Sequence, residues 1–326
     1  MRPSLPHPNV LWALGAVFAL LVVATLVVWV ARRLRTGVDL GEVALRIRSW
    51  WVMAAVFAVA LVVNRTVSLV FFAFLSFLAL KEFFSLIPTR RADRVVLFWA
   101  YLAIPVQYLW VAREWYGMFI IFVPVYMFLF LPMRMVLQGE TTGFLRAAGT
   151  LHWGLMTMLF CLSHVAYLLV LRPPESLAHP GRPELSAAGT PVGGPALVLY
   201  LVFLTQLNDV AQFLWGKALG RHKVIPQVSP NKTVEGPLGG IATTVVLALV
   251  LAPWLTPFTR REALIAGVIL GLGGFLGDVV ISALKRDLGI KDSGTLLPGH
   301  GGILDRVDSL TYTAPLFFHF VYYLHF

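Results

Sequence analysis

Between Val10 and Ala31 the chain runs for 22 residues without a charge. At 1.5 Å per residue, an α-helix of that length crosses a hydrocarbon core about 30 Å thick. Comparable apolar runs recur along the sequence. Inside lipid the backbone must satisfy its own N–H and C=O groups, and the α-helix is how a long apolar run does so. The expected fold class is therefore an all-α polytopic membrane protein. Composition agrees: 58% of the residues are hydrophobic and 13% charged, against about a quarter charged in a soluble domain. The single cysteine, Cys161, excludes a disulfide framework and any multi-cysteine zinc or iron–sulfur site.

The apolar runs predict about ten transmembrane helices, near 9–31, 49–63, 66–80, 95–112, 116–133, 150–171, 195–215, 238–256, 262–284 and 310–326. The second and third are short and divided by Asn64 and Arg65, so a single broken hairpin is an alternative there. The first run is too long for the apolar part of a signal peptide, and Arg32, Arg33 and Arg35 follow it directly; it reads as a retained span. Alternate loops carry 19 of the 26 Lys and Arg residues. The positive-inside rule puts those loops in the cytoplasm and both termini on the non-cytoplasmic side. The net charge of +10 is spread over these short loops. No basic run is interleaved with aromatics in a polar segment, which argues against nucleic acid as a partner. Residues 172–194 are rich in Pro, Gly, Ser and Ala and read as a flexible external connector. No internal repeat is found, which weakens an inverted-repeat transporter.

Polar residues of chemical interest collect in two places, both in the C-terminal part. The first is Asn208 to Gly236. Asp209 interrupts an apolar run, where an acid is costly unless paired, metal-bound or close to water. Gln212 and Gly216 share its helix face. The chain then passes Lys217, Arg221, His222 and Lys223 and continues as Ser229-Pro230-Asn231-Lys232-Thr233-Val234-Glu235-Gly236. Ser, Asn, Lys and Thr in a Pro/Gly-bounded loop offer donors that can follow a polyphosphate. A basic loop that only fixes topology is the alternative.

The second place is Gly277 to Asp308. Asp278, Ser282, Lys285 and Arg286 fall on one helical face, from an acid in the membrane to two cations at its surface. Lys291, Asp292, Ser293 and Gly294 follow, then Pro298-Gly299-His300-Gly301-Gly302 and Asp305-Arg306-Val307-Asp308. Gly301 and Gly302 allow a tight turn and close approach of backbone to a ligand. Asp278, Asp305 and Asp308 can converge on hard cations such as Mg²⁺, which takes oxygen ligands and bridges substrate phosphates. Lys285, Arg286 and Arg306 can hold phosphate oxygens. Simple pairing of each acid with a nearby cation is the competing reading.

These residues resemble the phosphatidate cytidylyltransferase (CDP-diacylglycerol synthase) family. Its diagnostic pattern is met at every fixed position over 27 residues: Ser282-Ala283-Leu284-Lys285-Arg286, Lys291-Asp292, and His300-Gly301-Gly302-Ile303-Leu304-Asp305-Arg306-Val307-Asp308. The Ser-Pro-x-Lys-Thr-x-Glu-Gly pattern of the same family is present at 229–236. The resemblance covers about 195–326, which marks a C-terminal catalytic region beside N-terminal scaffold helices over 1–194. It implies an integral protein of the bacterial inner membrane with its site facing the cytoplasm. It implies transfer of a cytidylyl group from CTP to phosphatidate, a Mg²⁺ cofactor with a monovalent ion such as K⁺ beside it, and a homodimer. The metal-holding aspartates of the family match Asp278 and Asp305. The expected catalytic residues are then Lys285, Arg286, Arg306, Asp308, Ser282 and His300. The expected substrate-binding residues are Asp209, Lys217, Ser229, Asn231, Lys232, Thr233, Glu235, Lys291, Asp292, Gly301 and Gly302.

One departure stands out: Gln212 occupies a position where the family has a small residue, which points to a divergent paralogue acting on another lipid phosphate. A CTP-dependent lipid kinase and a transporter are the remaining rivals. The polar motifs gather at one face of the membrane and not at its midplane, which disfavours transport. Gly267, Gly271, Gly273 and Gly277 have the spacing of small-residue helix packing. His152, His164 and His319 read as packed side chains.

Overall fold

The computed structural model describes residues 8–34, 41–88, 93–171, 193–294 and 301–326. They form helices α1 (Pro8–Leu34), α2 (Gly41–Val62), α3 (Arg65–Leu86), α4 (Arg94–Ala112), α5 (Tyr116–Val136), α6 (Phe144–Leu168), α7 (Gly194–Leu219), α8 (Glu235–Leu255) and α9 (Arg260–Asp287). The single turn α10 (Leu304–Val307) and α11 (Leu310–His325) complete the chain. Nine of the described helices are long and apolar enough to cross a membrane. The tenth expected crossing, α11, has 16 residues. This is a polytopic all-α membrane protein. Most of the 172–194 connector, and His300, lie outside the described residues.

Helices α2 and α3 are separate and full length, 22 residues each, so the broken-hairpin alternative falls. The apolar runs understated both because charged residues continue a helix as readily as apolar ones. Glu42 and Arg46 pair one turn apart at 2.5 Å on α2, and Lys81 and Glu82 lie within the last turns of α3. Asn64 starts α3 as an N-cap, its Oδ1 accepting the Val67 N–H at 2.8 Å. In α5 and α6 the backbone widens into π turns at Phe122–Met127 and Leu155–Cys161. His164 is buried between Phe119, Phe160 and Phe318 with its Nδ1 2.8 Å from the Phe160 carbonyl.

One apolar core runs from Val10 to Val321. Helix α7 packs along α8, α8 along α9, and α9 against α11, which also leans on α6. Close approach depends on missing Cβ atoms. A methyl at Gly267 or Gly271 would meet the backbone of Val245 or Ile241 on α8, and one at Gly277 would meet the Asp308 carbonyl. Buried Asn208 ties three helices: its Nδ2 donates to Gly271 O at 3.2 Å and its Oδ1 accepts from Thr244 at 3.1 Å. At one end of the bundle Asn9 Nδ2 donates to Trp254 O at 2.8 Å and His325 lies 3.5 Å from Glu262. The motif loops stand at the opposite end, where α3, α7 and α9 finish and α8 and α11 begin.

Candidate functional site

After α7 ends, the chain doubles back through an antiparallel bridge between Lys223 and Thr233. Val224 N–H donates to Lys232 O at 3.2 Å and Val234 N–H to His222 O at 2.8 Å. Glu235, the first residue of α8, closes the base by accepting the Arg221 and His222 amides at 3.1 and 3.3 Å. Its carboxylate also lies 2.7 Å from His222 Nδ1. The closed loop directs Lys232 across to α9, where its Nζ donates to Asp278 Oδ2 at 2.5 Å. The ammonium group also stands 5.3 Å from the centre of the Phe275 ring.

On α9 the predicted face is realised in part. Asp278 Oδ1 accepts from Ser282 Oγ at 3.1 Å. Lys285 donates to Asp305 Oδ1 at 2.6 Å. Arg286 turns outward: its Nε donates to Val228 O at 3.1 Å and its Nη1 to Ile290 O at 2.9 Å, so it ties the two motif loops together. The other Asp305 oxygen, Oδ2, accepts from Ser293 N at 2.9 Å, Ser293 Oγ at 2.8 Å and Gly302 N at 3.1 Å. Burial alone would raise the Asp305 carboxyl. The Lys285 hydrogen bond and charge and the two amides outweigh it and hold the group below the ordinary carboxylate range. Gly301 has φ +78°, a left-handed conformation that suits the tight turn expected there.

The third acid, Asp308, accepts the Ser309 amide at 2.8 Å. Burial, then the charge of Asp278, pushes its carboxyl up to about 7, against the Ser309 amide, Lys285 and Arg306. Ser309 Oγ donates to Asp209 Oδ1 at 3.0 Å and also lies 3.1 Å from Gly274 O. Asp209 shares an electrostatic neighbourhood with Asp308, Asp278 and Lys232. The two sequence clusters, some 70 residues apart at their starts, thus form one site.

Some expected residues stand elsewhere. Lys217, Asn231, Lys291 and Asp292 are exposed, outside these pairs. Asp278, Asp305 and Asp308, expected to converge on hard cations, do not form one cluster: among the described residues no three His, Cys, Asp or Glu side chains form a metal-holding group. The physical reason is that Asp305 faces Lys285, Ser293 and Gly302. Mg²⁺ commonly takes only one or two carboxylates and completes its shell with phosphates and water. Asp278, beside Asp308 and Asp209, supplies hard oxygen donors of that kind. Three buried polar atoms around the site, Gln212 Nε2, Thr233 Oγ1 and Arg306 Nε, have no hydrogen-bond partner in the protein. Buried polar groups are rarely left so, and their unused hydrogen-bonding capacity suits a polar ligand.

Three residues of the site escaped sequence reasoning. Ser293 and Ser309 sat in loops without a pattern of their own. Glu82, in α3, accepts the amides of Ile303 at 2.9 Å and Leu304 at 3.1 Å. The expectation that the polar residues of chemical interest all lie in the C-terminal part is therefore corrected. The available signal was a carboxylate in the last turns of a helix, the end that disfavours negative charge. Gly302 lies beside Glu82. What its missing side chain admits is the Glu82 carboxylate and Ser293 Oγ.

Comparison with known proteins gives this geometry a family. The model of the cytidylyltransferase family matches residues 44–324. The Escherichia coli (strain K12) protein YnbB, whose name assigns it no activity, is 45% identical over 315 residues, 95% of this chain and 98% of that one. The phosphatidate cytidylyltransferase of Staphylococcus aureus (strain COL) is 39% identical over 163 residues, and that of Staphylococcus haemolyticus (strain JCSC1435) is 37% identical over 163. Each of those two matches covers 49% of this chain and 58% of the relative. With a family match across most of its length and the motif residues gathered at one end of the bundle, the chain belongs to the cytidylyltransferase family.

Proposed function

We propose that this protein transfers the cytidylyl group of CTP to a lipid phosphate, phosphatidate first, giving CDP-diacylglycerol and pyrophosphate. The observation that carries the reading is the 2.5 Å contact of Lys232 with Asp278. It joins two motifs that are distant in sequence and brings a cation and a carboxylate together at the end of the bundle where the motif loops stand, which supports the reading. The Lys and Arg bias puts this end in the cytoplasm, on the side that supplies CTP.

The attacking lipid phosphate has a second pKa near about 6 and is ionised at neutral pH. No protein nucleophile is needed. The obstacle is repulsion between two polyanions, and fixed positive charge is the remedy. Asp278 would hold Mg²⁺ by giving up Lys232, and Asp305 would join it only by giving up Lys285; the freed ammonium groups would then face the substrate phosphates. Mg²⁺ held there would supply neutralisation of the phosphate charge. Arg306, with its buried Nε unpartnered in the protein, is a further phosphate ligand. Arg286 acts through the loops it joins.

A second reading keeps the reaction and changes the acceptor. Gln212 places a buried amide donor on the Asp209 face of α7, where a different lipid headgroup would use it. The test is product analysis with purified protein, labelled CTP, Mg²⁺ and a panel of lipid phosphates. CDP-lipid and pyrophosphate are expected, with phosphatidate the best acceptor. A preference for another acceptor selects the second reading. Release of CDP, or no nucleotide turnover with any acceptor, refutes both.

A further inference from the structure

Three consecutive amides of the 302–304 turn are all held by carboxylates. Gly302 N–H donates to Asp305 at 3.1 Å, Ile303 N–H to Glu82 Oε2 at 2.9 Å and Leu304 N–H to Glu82 Oε1 at 3.1 Å. Asp305 grips the turn from within the motif. Glu82 grips it from α3, more than 200 residues earlier in the chain. The fit leaves no room for side chains: a Cβ on Gly302 would run into the Glu82 carboxylate, and one on Gly294 would stand 3.2 Å from Glu82 Oε2. Glycine at 302 is thus required by the approach of an acid from another helix.

Position makes the contact costly by any other account. Glu82 lies in the last turns of α3, where unsatisfied carbonyls concentrate negative charge. A carboxylate there needs donors from outside its helix. The two it finds belong to the turn that carries Asp305 and Arg306 and leads into Asp308. We infer that Glu82 is a positioning residue for the cytidylyl-transfer site: its carboxylate fixes the 301–308 turn that carries Asp305, Arg306 and Asp308. This rests on the proposed function for its kinetic consequence, and on the contacts alone for its conformational one.

Full-length wild-type protein, E82Q and E82A in the same detergent give the test. Hydrogen exchange is read on peptides containing residues 303 and 304. Gln is isosteric and keeps a single acceptor oxygen, whereas Ala keeps none. Exchange at those amides is expected to be at least tenfold faster in E82Q and faster again in E82A, with α7 and α8 unchanged. The kcat/KM for CTP is expected to fall about tenfold or more in E82Q at an unchanged thermal midpoint. Exchange within twofold of wild type in E82Q overturns the inference. So does an activity loss that only follows a lowered midpoint and yield, with kcat/KM of the folded fraction unaltered, because that marks a purely structural cap. Should E82A fail to fold, E82Q decides. If wild-type protein makes no CDP-lipid, the proposed function falls, and the exchange result alone decides whether Glu82 holds the turn.

Discussion

Replacing Asp305 with Asn removes one charge and almost no volume, so it isolates the electrostatic hold on the motif turn. The Lys285–Asp305 side chains are only 12% and 7% exposed, and solvent screens the pair weakly. Hydrogen bonds to charged groups contribute about 1.5–3 kcal/mol and neutral ones about 0.5–1.5. Breaking one side of a buried pair costs about 3–5 kcal/mol. An Asn amide can offer its oxygen either to Ser293 and Gly302 or to Lys285, and then points its NH₂ at a donor on the other side. Opening of the turn is therefore expected to become easier by about 3 kcal/mol, a little over two powers of ten in the opening constant. Hydrogen exchange on peptides covering 293 and 302 measures it. Lys285→Met leaves Asp305 a buried carboxylate with only Ser293 and Gly302 as donors, and its effect is expected to be similar, about 3 kcal/mol. The double variant is expected to fall short of the sum by at least 1 kcal/mol. The pH dependence has a fixed sign. A carboxyl held below its ordinary value stabilises the fold above the unfolded pKa of about 3.9, and the contribution is lost as pH falls through the lower folded value. The Asp305 contribution to protection of the turn therefore stays constant from pH 8 to 5 and weakens only below about 4, and D305N lacks that acid-dependent part. A D305N effect under about 0.5 kcal/mol, or additive single effects, refutes the reasoning.

Asp278→Asn is expected to lower CTP turnover more than a hundredfold at an unchanged thermal midpoint, read by labelled-product analysis; wild-type turnover removes Asp278 from the metal assignment. Asn208→Leu deletes two interhelical hydrogen bonds, each worth about 0.6 kcal/mol on average in a membrane bundle. It is expected to lower stability by about 1–2 kcal/mol and the melting midpoint by a few degrees, and an unchanged midpoint shows that Asn208 ties nothing. Gly277→Ala sets a methyl against the Asp308 carbonyl and must displace α9 or the turn, at about 1–3 kcal/mol. Its activity is expected to fall at least tenfold, and wild-type kinetics show that the two elements need not approach so closely.

What the sequence made legible was what depends on runs and on short spacing. All ten expected runs are helical, nine of them long and apolar enough to cross a membrane, and the Asp278–Ser282 contact follows from four-residue spacing on one helix. The glycine stripe at 267, 271 and 277 announced close packing. Helix ends were misjudged at α2 and α3 because hydropathy reports depth in lipid, and charged residues such as Arg46 and Glu82 extend a helix past the apolar zone. The partners of the charges were not legible at all. Lys232 with Asp278 and Lys285 with Asp305 each join residues of a motif. Yet the type of residue is compatible equally with metal, phosphate or a neighbouring ammonium group, and only placement decides.

Glu82 shows why placement cannot be read from a motif alone. A buried or half-buried carboxylate must find donors wherever the fold brings them, and the fold brought it two amides from the far end of the chain. The same constraint then acts backwards on the motif: Gly302 has no side chain because Glu82 occupies that space. A glycine that looked like room for a ligand is room for an acid of another helix. The 195–326 segment, taken by itself, therefore holds the reactive groups without the residue that sets their turn. A truncated protein beginning at residue 195 is expected to expose the Ile303 and Leu304 amides even where α7, α8 and α9 remain helical. Co-expression of 1–194 as a separate chain should restore their protection only if its position 82 carries a carboxylate.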